Sequence, residues 1–367
     1  SKTQEVVLLG TAFAELGIWK GLKYKFQAGL DLTSSNFRGF APSTIGGGMF
    51  TAPPQKAVGE YSTIFKYNWT IENTIFYNET FGEDHTVGAL VGYTAQKFTE
   101  EYNRLNATDF PDDEIRWMTA GATKNGDNYV NEWSMASVIA RLNYSFKNRY
   151  LLQATFRRDG CSRFGPGNKY ANFPSVSAGW IISDEDFMEG VSSTMNYLKV
   201  RASYGLTGSN ELNGNYGYIA GVGTSNYVLG CSLVPGKYVS GLGNNLLTWE
   251  ENKQLDLGID LGFFNDRIYL MYDYYQKKTD GMLYQIDIPA ASGFLNYTAN
   301  MGNYKSWGHE ITIQSRNLVG DFTWTTNLNL TFNRNKVTKL GTNDTPNGGY
   351  NNQEDFNRLQ VGEPIGI

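Results

Sequence analysis

Two consecutive segments alternate apolar and polar side chains with a period of two, and this alternation constrains the fold more than any other feature. In residues 254–263 the odd positions from 255 onward are large and apolar, whereas the even positions hold glycine or polar residues such as Asp256 and Asp260. Residues 268–275 return after a short turn, with Asp273 opposite the apolar face. A period of two places alternate side chains on opposite faces of a strand. Strands of about ten residues with one wide apolar face suit a lipid-facing barrel wall around a wet interior.

The same alternation recurs along most of the chain, and it predicts further strands on both sides of this hairpin. They lie near residues 5–16, 22–33, 63–77, 86–98, 134–146, 150–159, 173–182, 195–206, 306–316 and 321–333. The total is therefore about twelve strands, well within the range known for membrane barrels.

Short and long links alternate between these strands. Long loops are predicted near residues 33–62, 99–133, 160–172, 207–249 and 279–305. The polar tail from residue 334 is interpreted as one more loop. Outer-membrane barrels have short periplasmic turns and long extracellular loops, whereas a soluble sandwich is not expected to sort its loops in this way. We therefore predict an all-β fold in which residues 1–367 form part of a transmembrane antiparallel β-barrel.

The composition excludes several functional classes. A net charge of −5 and a pI of about 5.3 leave no basic stripe for a nucleic-acid partner. No stretch approaches the run of about 18 apolar residues that a transmembrane helix needs. Because His85 and His309 belong to no triad or metal-binding spacing, we expect no catalytic site, metal or cofactor. Cys161 and Cys231 are too few for a disulfide framework and lie far apart in the sequence. They are expected to be incidental, and a long-range bridge between them is the alternative.

Four segments add more specific motifs to the alternation. Residues 150–165 read YLLQATFRRDGCSRFG, and residues 172–180 read NFPSVSAGW. Residues 198–210 read LKVRASYGLTGSN, and residues 247–250 read LTWE. Together these segments resemble the SusC/RagA family of TonB-dependent outer-membrane transporters of Bacteroidetes. The family pattern has a serine where this chain has Cys161.

This resemblance implies a barrel of about 22 strands with a plugged lumen, of which this chain supplies about the middle half. The plug, the segment that contacts TonB and the closing strands are expected to belong to a longer protein. Such transporters work with a SusD-like surface lipoprotein that caps the barrel, and TonB transmits the force for import. The expected location is the bacterial outer membrane, in contact with its lipid and lipopolysaccharide. The expected cargo is an oligosaccharide or a peptide.

Charged residues on the polar strand faces are candidates for the lumen. They are Arg141, Arg157, Asp159, Lys199, Arg201, Asp256, Asp260 and Asp273. We expect these residues to face the lumen and the plug. For Arg157 and Asp159, together with Arg163, ion pairs that brace the wall are the favoured interpretation, and substrate contact is the alternative.

Aromatic residues in the predicted outward loops are the best candidates for cargo contact, because a sugar ring can stack on a flat π face. They are Trp117, Trp133, Tyr216, Tyr218 and Tyr227. The alternative is that these side chains pack the loops together or meet the lipoprotein. In the same way, the acidic stretch from Asp109 to Glu114 is either a calcium site or, as its irregular spacing favours, a solvated loop.

Three other functions remain as alternatives to transport of this type. A surface carbohydrate-binding protein or adhesin would share the strands but not the barrel. A barrel-embedded hydrolase would need a reactive pair at the rim, and the scarcity of histidine disfavours its commonest form. A siderophore receptor would show the same strand alternation, but the motifs disfavour it.

Overall fold

The computed structural model describes residues 1–45, 56–212, 214–341, 347–351 and 354–365. The chain is built almost entirely of strands. They are β1 Lys2–Trp19, β2 Leu22–Ala41, β3 Val58–Phe81, β4 His85–Thr108, β5 Thr123–Phe146, β6 Tyr150–Cys161, β7 Tyr170–Ile181, β8 Met195–Ser209, β9 Gly221–Leu229, β10 Ser232–Gly241, β11 Glu250–Phe263, β12 Ile268–Asp280, β13 Leu283–Asp287, β14 Asn296–Asn300, β15 Gly302–Leu318, β16 Trp324–Leu340, β17 Asn347–Asn351 and β18 Glu354–Leu359. Short 3₁₀ helices occupy Met118–Ala120, Ile182–Asp184, Asp186–Val191 and Ala290–Ser292.

Twelve of these strands form one antiparallel sheet in the order β1-β2-β3-β4-β5-β6-β7-β8-β11-β12-β15-β16. Each strand pairs with the next one along the chain, except where the separate hairpins β9–β10 and β13–β14 intervene. This arrangement confirms the predicted all-β fold and all twelve predicted strands. The interpretation of the tail as a loop is wrong, because β16 continues to Leu340 and β17 pairs with β18.

The chain divides into two compact units. The first comprises Ser1–Glu15, Lys25–Asn73 and Thr94–Ala136. The second comprises Leu16–Tyr24, Thr74–Tyr93 and Ser137–Ile367, and it contains the polar site described below.

The strands extend further than their alternation predicts, so several connections are shorter than expected. The link between β2 and β3 covers residues 42–57, the link between β4 and β5 covers 109–122, and the link between β6 and β7 covers 162–169. The prediction ended each strand where its apolar face ended. A strand that continues beyond the lipid needs no apolar face, and the ladder continues through residues such as Glu101 and Asn128.

The predicted alternation of short and long links fails at one place. The connection 182–194 between β7 and β8 is longer than the supposedly long connection 162–169 before it. Two 3₁₀ helices, Ile182–Asp184 and Asp186–Val191, take up most of its length. The strands that it joins still pair with each other, up to Ile181 opposite Lys199. The predicted loops between β8 and β11 and between β12 and β15 also contain regular structure, namely the hairpins β9–β10 and β13–β14.

The sheet has its apolar face exposed and much of its polar face covered, the reverse of a soluble protein. On β11, Leu257 is 44% exposed, whereas Asp260 on the other face is 7% exposed. A wide exposed apolar face is the property expected of a wall that contacts lipid. None of the described residues forms a helix long and apolar enough to cross a membrane.

Candidate functional site on the polar face of the sheet

Arg201 forms two ion pairs on the polar face of the sheet. Its Nη2 lies 3.0 Å from Asp260 Oδ1, and its Nη1 lies 2.7 Å from Asp273 Oδ1. The three residues come from the consecutive sheet strands β8, β11 and β12. One guanidinium therefore binds two carboxylates, which uses the planar, multidentate donor geometry of arginine and leaves the cluster one net negative charge.

A glycine makes this arrangement possible. Gly258 of β11 stands directly opposite Arg201 on one side and Asp273 on the other. A Cβ atom at this position would lie 2.6 Å from Arg201 Cζ and 2.6 Å from Asp273 Oδ1. The missing side chain gives the guanidinium room to cross β11 and reach the carboxylate beyond it.

Next to this cluster, the polar face forms a groove of about 430 Å³. Charged residues of both signs line it, including Lys199 and Asp256. The Asp256 carboxylate accepts hydrogen bonds from Ser203 Oγ at 3.1 Å and from Gln254 Nε2 at 2.9 Å. A groove lined by charged and amide side chains suits polar contacts with a protein segment or a hydrophilic cargo.

The remaining predicted lumen residues form separate contacts. Arg157 Nε donates to both carboxylate oxygens of Asp159, at 2.7 and 2.8 Å, and its Nη2 donates to Ser137 Oγ at 3.2 Å. Arg141 lies apart and donates to Thr155 Oγ1 at 3.3 Å. The structure thus joins Arg157 to Asp159 within one strand, and it places neither of them in the Arg201 cluster.

The motif residues meet in a small apolar core that the sequence did not predict. Its members come from the ends of β6 and β7 and from the segments that follow β6 and precede β11. They are Cys161, Phe164, Phe173, Leu247 and Trp249, all at most 6% exposed. The Trp249 ring lies 5.3 Å from Phe164 and 5.6 Å from Phe173, measured between ring centroids. Three of the four motifs therefore contribute to one packing unit.

Arg163 ties this core to the start of the connection 210–220. Its Nε donates to Asn215 Oδ1 at 2.8 Å, and its Nη1 donates to the Asn210 carbonyl at 3.0 Å. Asn210 Nδ2 in turn lies 3.2 Å from Cys161 Sγ. The motifs at residues 150–165 and 198–210 thus meet through hydrogen bonds, which favours a structural role for Arg163.

The five predicted aromatic contacts are divided between the two units, with Trp117 and Trp133 in the first and the three tyrosines in the second. Trp117 lies in the connection 109–122 and is 69% exposed, and Tyr216 is 47% exposed. Tyr218 is half-buried in the same connection as Tyr216. Tyr227 is exposed but belongs to β9 of the hairpin that interrupts the predicted loop.

Trp133 was predicted in a loop, and this placement is wrong. It belongs to β5, where its ring is half-buried and stacks on Phe98 at 6.0 Å between centroids. Cross-strand aromatic packing accounts for this tryptophan.

The acidic connection is held by hydrogen bonds within its own unit. Asp113 accepts the backbone N–H and the hydroxyl of Ser43, both at 2.7 Å, and these bonds hold its pKa below the ordinary value. A contact with Lys56 and hydrogen bonds from Thr123 and Thr108 likewise lower the pKa of Asp109. No group of three or more possible metal ligands occurs in the part of the chain that the structure describes.

The histidines contact neighbouring tyrosines, and the cysteines are unpaired. His85 Nδ1 lies 2.8 Å from Tyr144 Oη, and His309 Nδ1 lies 2.8 Å from Tyr272 Oη. Cys161 is buried and Cys231 is exposed, and both are free thiols.

Comparison with known proteins shows the family. Residues 10–360 match the model described as TonB dependent receptor-like, beta-barrel. TonB-dependent receptor P39 of Formosa agariphila is 37% identical over 82% of this chain and 28% of its own length. TonB-dependent receptor SusC of Bacteroides thetaiotaomicron is 33% identical over 76% of this chain and 28% of its own length. The chain thus spans less than a third of the length of each of these two relatives.

Solved structures agree with this assignment. The RagAB peptide transporter aligns with 99% of this chain and 39% of its own chain, with a TM-score of 0.88 and 26% identity. The siderophore receptor PiuA of Acinetobacter baumannii, at 13% identity and a TM-score of 0.57, shares the fold alone. Taken with the exposed apolar face of the sheet, these matches show that the chain belongs to the TonB-dependent receptor family, as part of the outer-membrane β-barrel of a SusC/RagA-type member.

Proposed function

We propose that the protein imports oligosaccharides across the outer membrane, using force that TonB transmits to a plug held inside the barrel. Peptides are the alternative cargo. The observation that supports transport best is the two-sided sheet, whose exposed apolar face lies opposite a polar face crossed by the Arg201 ion pairs. A wall of this kind separates lipid from a wet lumen, and a receptor of this family needs such a lumen.

The Arg201 cluster and the adjoining groove are proposed to face the plug. The Arg201 guanidinium is paired with Asp260 and Asp273, which leaves one net negative charge. A docking segment therefore meets fixed hydrogen-bonding groups that carry a residual negative charge. Polar interfaces of this kind separate more readily than large apolar ones, and a plug that TonB pulls has to move.

The long connections are proposed to face outward and to meet a SusD-like lipoprotein. The relative named SusC and the solved complex named RagAB support a partner of this kind. The described part of the connections offers exposed aromatic rings for contact, such as Trp117 and Tyr216. These rings favour a sugar cargo, since stacking on a pyranose needs a flat apolar surface and no charge.

The adhesin and hydrolase alternatives receive less support. Membership of a receptor family speaks against an enzyme, and the proposal involves no covalent step. A surface protein that only binds would not need the apolar band to extend across consecutive strands of one sheet.

The deciding experiment uses the full-length receptor in its own organism. A deletion strain is complemented with the native gene, and uptake of labelled oligosaccharides and of labelled peptides of matched mass is measured with and without TonB. We expect TonB-dependent oligosaccharide uptake only. TonB-dependent peptide uptake would replace the cargo assignment, and surface binding without uptake would establish the adhesin.

A variant pair locates the cargo contacts. Trp117→Ala and Tyr216→Ala, made separately, are each expected to raise the half-saturating oligosaccharide concentration about fivefold, because each stacked ring contributes about 1 kcal/mol. Phe322→Ala removes an aromatic ring that is 70% exposed on a short connection, and it serves as the matched control. An unchanged half-saturating concentration in either variant would show that the replaced ring does not contact the cargo.

A further inference from the structure

Four lysines stand in register across four neighbouring strands. Lys253 of β11 lies directly opposite Lys278 of β12, Lys278 lies opposite Lys305 of β15, and Lys305 lies opposite Lys336 of β16. No register shift falls within this row. We call these four residues the lysine row.

The lysine row belongs to the apolar face of the sheet. In each strand the position of the lysine differs by an even number from the positions of the apolar residues on that face, as Lys253 differs by four from Leu257. Residues at such spacings share one face of a strand. The opposite face at this level is covered, since Asn252 is 7% exposed and Thr279 is fully buried. The amino groups therefore extend from the surface that contacts lipid and not into the lumen.

The row also marks one edge of the apolar band. On β11 this band runs from Leu255 to Phe263, about 27 Å along the strand at about 3.4 Å per residue. With a strand tilt of about 40°, its height is about 21 Å, close to the apolar height of about 25 Å of known barrels. Lys253 follows directly beyond Leu255, so the row lies at the level of the lipid headgroups.

Like charges directly opposite each other on a sheet repel, so the row needs anions nearby. Asp280 supplies one, with its carboxylate oxygens 2.9 Å from Lys253 Nζ and 2.9 Å from Lys278 Nζ. Among the residues that the structure describes, Lys305 and Lys336 form no ion pair. Protection of a sheet edge does not explain the row, because β11, β12 and β15 are interior strands.

We propose that the lysine row binds the phosphorylated sugar headgroup of a lipopolysaccharide-type glycolipid in the outer leaflet. Four strands span about 14 Å at about 4.8 Å per spacing, a width that suits a headgroup with more than one phosphate. The next row toward the membrane places Trp307 opposite Arg334, which adds an aromatic face for a sugar and a further cation. The acyl chains then lie along the apolar band below. The inference rests on the proposed outward orientation of the long connections.

The test measures binding to the full-length receptor, purified in detergent and stripped of bound lipid. The probes are bis-phosphorylated lipid A, its dephosphorylated form, phosphatidylglycerol and inorganic phosphate. The variant Lys305→Gln with Lys336→Gln removes the two lysines without an acidic partner. The control Lys237→Gln with Lys277→Gln makes the same change in charge, with Lys277 on the polar face and Lys237 on the separate hairpin β9–β10.

We expect the native receptor to bind bis-phosphorylated lipid A, and the Lys305 and Lys336 variant to bind it at least about tenfold more weakly, the loss expected for charge-assisted hydrogen bonds. The control should bind like the native receptor. Equal binding of phosphatidylglycerol would overturn the glycolipid assignment, and full displacement by inorganic phosphate would reduce the row to a free-phosphate site. Equal losses in both double variants, or none in either, would remove the site altogether. Lipid binding is measured independently of uptake. If the receptor does not import oligosaccharides, the binding result can still be interpreted.

Discussion

Arg201 and Asp273 form an ion pair across an intervening strand. Their strands, β8 and β12, both pair with β11 and not with each other, yet Arg201 Nη1 lies 2.7 Å from Asp273 Oδ1. The bond exists because Gly258, the residue between them, has no side chain. Three strands are thus joined by a side chain as well as by their backbone ladders.

Replacing Gly258 with alanine should break this bond. The new Cβ would meet Arg201 Cζ and Asp273 Oδ1 at 2.6 Å, so the guanidinium has to leave and the carboxylate loses its partner. We expect the free energy of unfolding to fall by about 1–3 kcal/mol, the usual cost of unpaired polar groups. Thermal unfolding of the purified full-length receptor measures this change.

Gly179→Ala is the matched control. Gly179 lies opposite Arg201 on its other side, but its new Cβ would meet Lys199 Cε at 3.4 Å and Leu151 at 3.6 Å, which is ordinary contact. Equal unfolding temperatures for the two alanine variants would show that the bond across β11 contributes nothing.

Phe164→Ala should destabilise the receptor strongly. Phe164 is fully buried against Trp249, and truncation of a buried phenylalanine costs about 3–5 kcal/mol. We also expect faster proteolysis of the connection 210–220, because the variant loosens the core next to Arg163 and its partner Asn215. Normal protease resistance combined with a normal unfolding temperature would contradict the packing role assigned to the motifs.

Glu185 should make stability depend on pH. It accepts hydrogen bonds from Tyr150 Oη at 2.6 Å, Trp180 Nε1 at 2.9 Å and Arg149 Nη1 at 3.1 Å, and these bonds hold its pKa below the ordinary value of 4.5. Because the folded-state pKa is lowered, the contribution is complete above pH 4.5 and disappears as the pH falls through the folded-state pKa.

The variant Glu185→Gln measures this contribution. Its unfolding temperature should lie below that of the native receptor at pH 7, and the difference should shrink as the pH falls below 4.5. A difference that stays constant down to pH 3 would show that the charge of Glu185 is not involved.

Cysteine labelling should reveal which connections face outward. Cys231 is exposed in the turn of the β9–β10 hairpin, whereas Cys161 is 2% exposed. A membrane-impermeant maleimide should therefore label Cys231 on intact cells and leave Cys161 unlabelled until the protein unfolds. Cys231→Ser defines the background. Ser183→Cys introduces a thiol in the connection 182–194, at the other end of β8 from the β9–β10 hairpin, and this thiol should stay unlabelled. Labelling of residue 183 alone would reverse the proposed orientation.

The twelve strands were predictable because one physical constraint acts along most of them. Lipid requires an apolar side chain at every second position, and a run such as Leu255 to Phe263 satisfies this requirement without help from tertiary contacts. Beyond the lipid headgroups a strand no longer needs an apolar residue at every second position, so the alternation does not predict the rest of the strand. This is why Trp133 was assigned to a loop although it belongs to β5.

Other features depend on contacts that no local pattern reveals. The turn of the β9–β10 hairpin has positive φ at Gly230, 58°, and at Cys231, 65°. Two-residue turns of this kind usually contain asparagine, aspartate or glycine, so a cysteine gave no signal. The ion pairs of Arg201 were equally hidden, since the predicted polar faces contained charges of both signs without indicating which strands are neighbours.

The motif core has a consequence for how relatives are compared. Phe164, Phe173 and Trp249 belong to the motifs that identify the family in the sequence. Their side chains are buried, with Trp249 packed against both phenylalanines, so they are not available to contact cargo. The exposed rings proposed to meet the cargo, such as Trp117, lie outside the motifs. The residues that identify the family are therefore not the residues proposed to select the cargo. Two receptors can share every motif and still import different compounds.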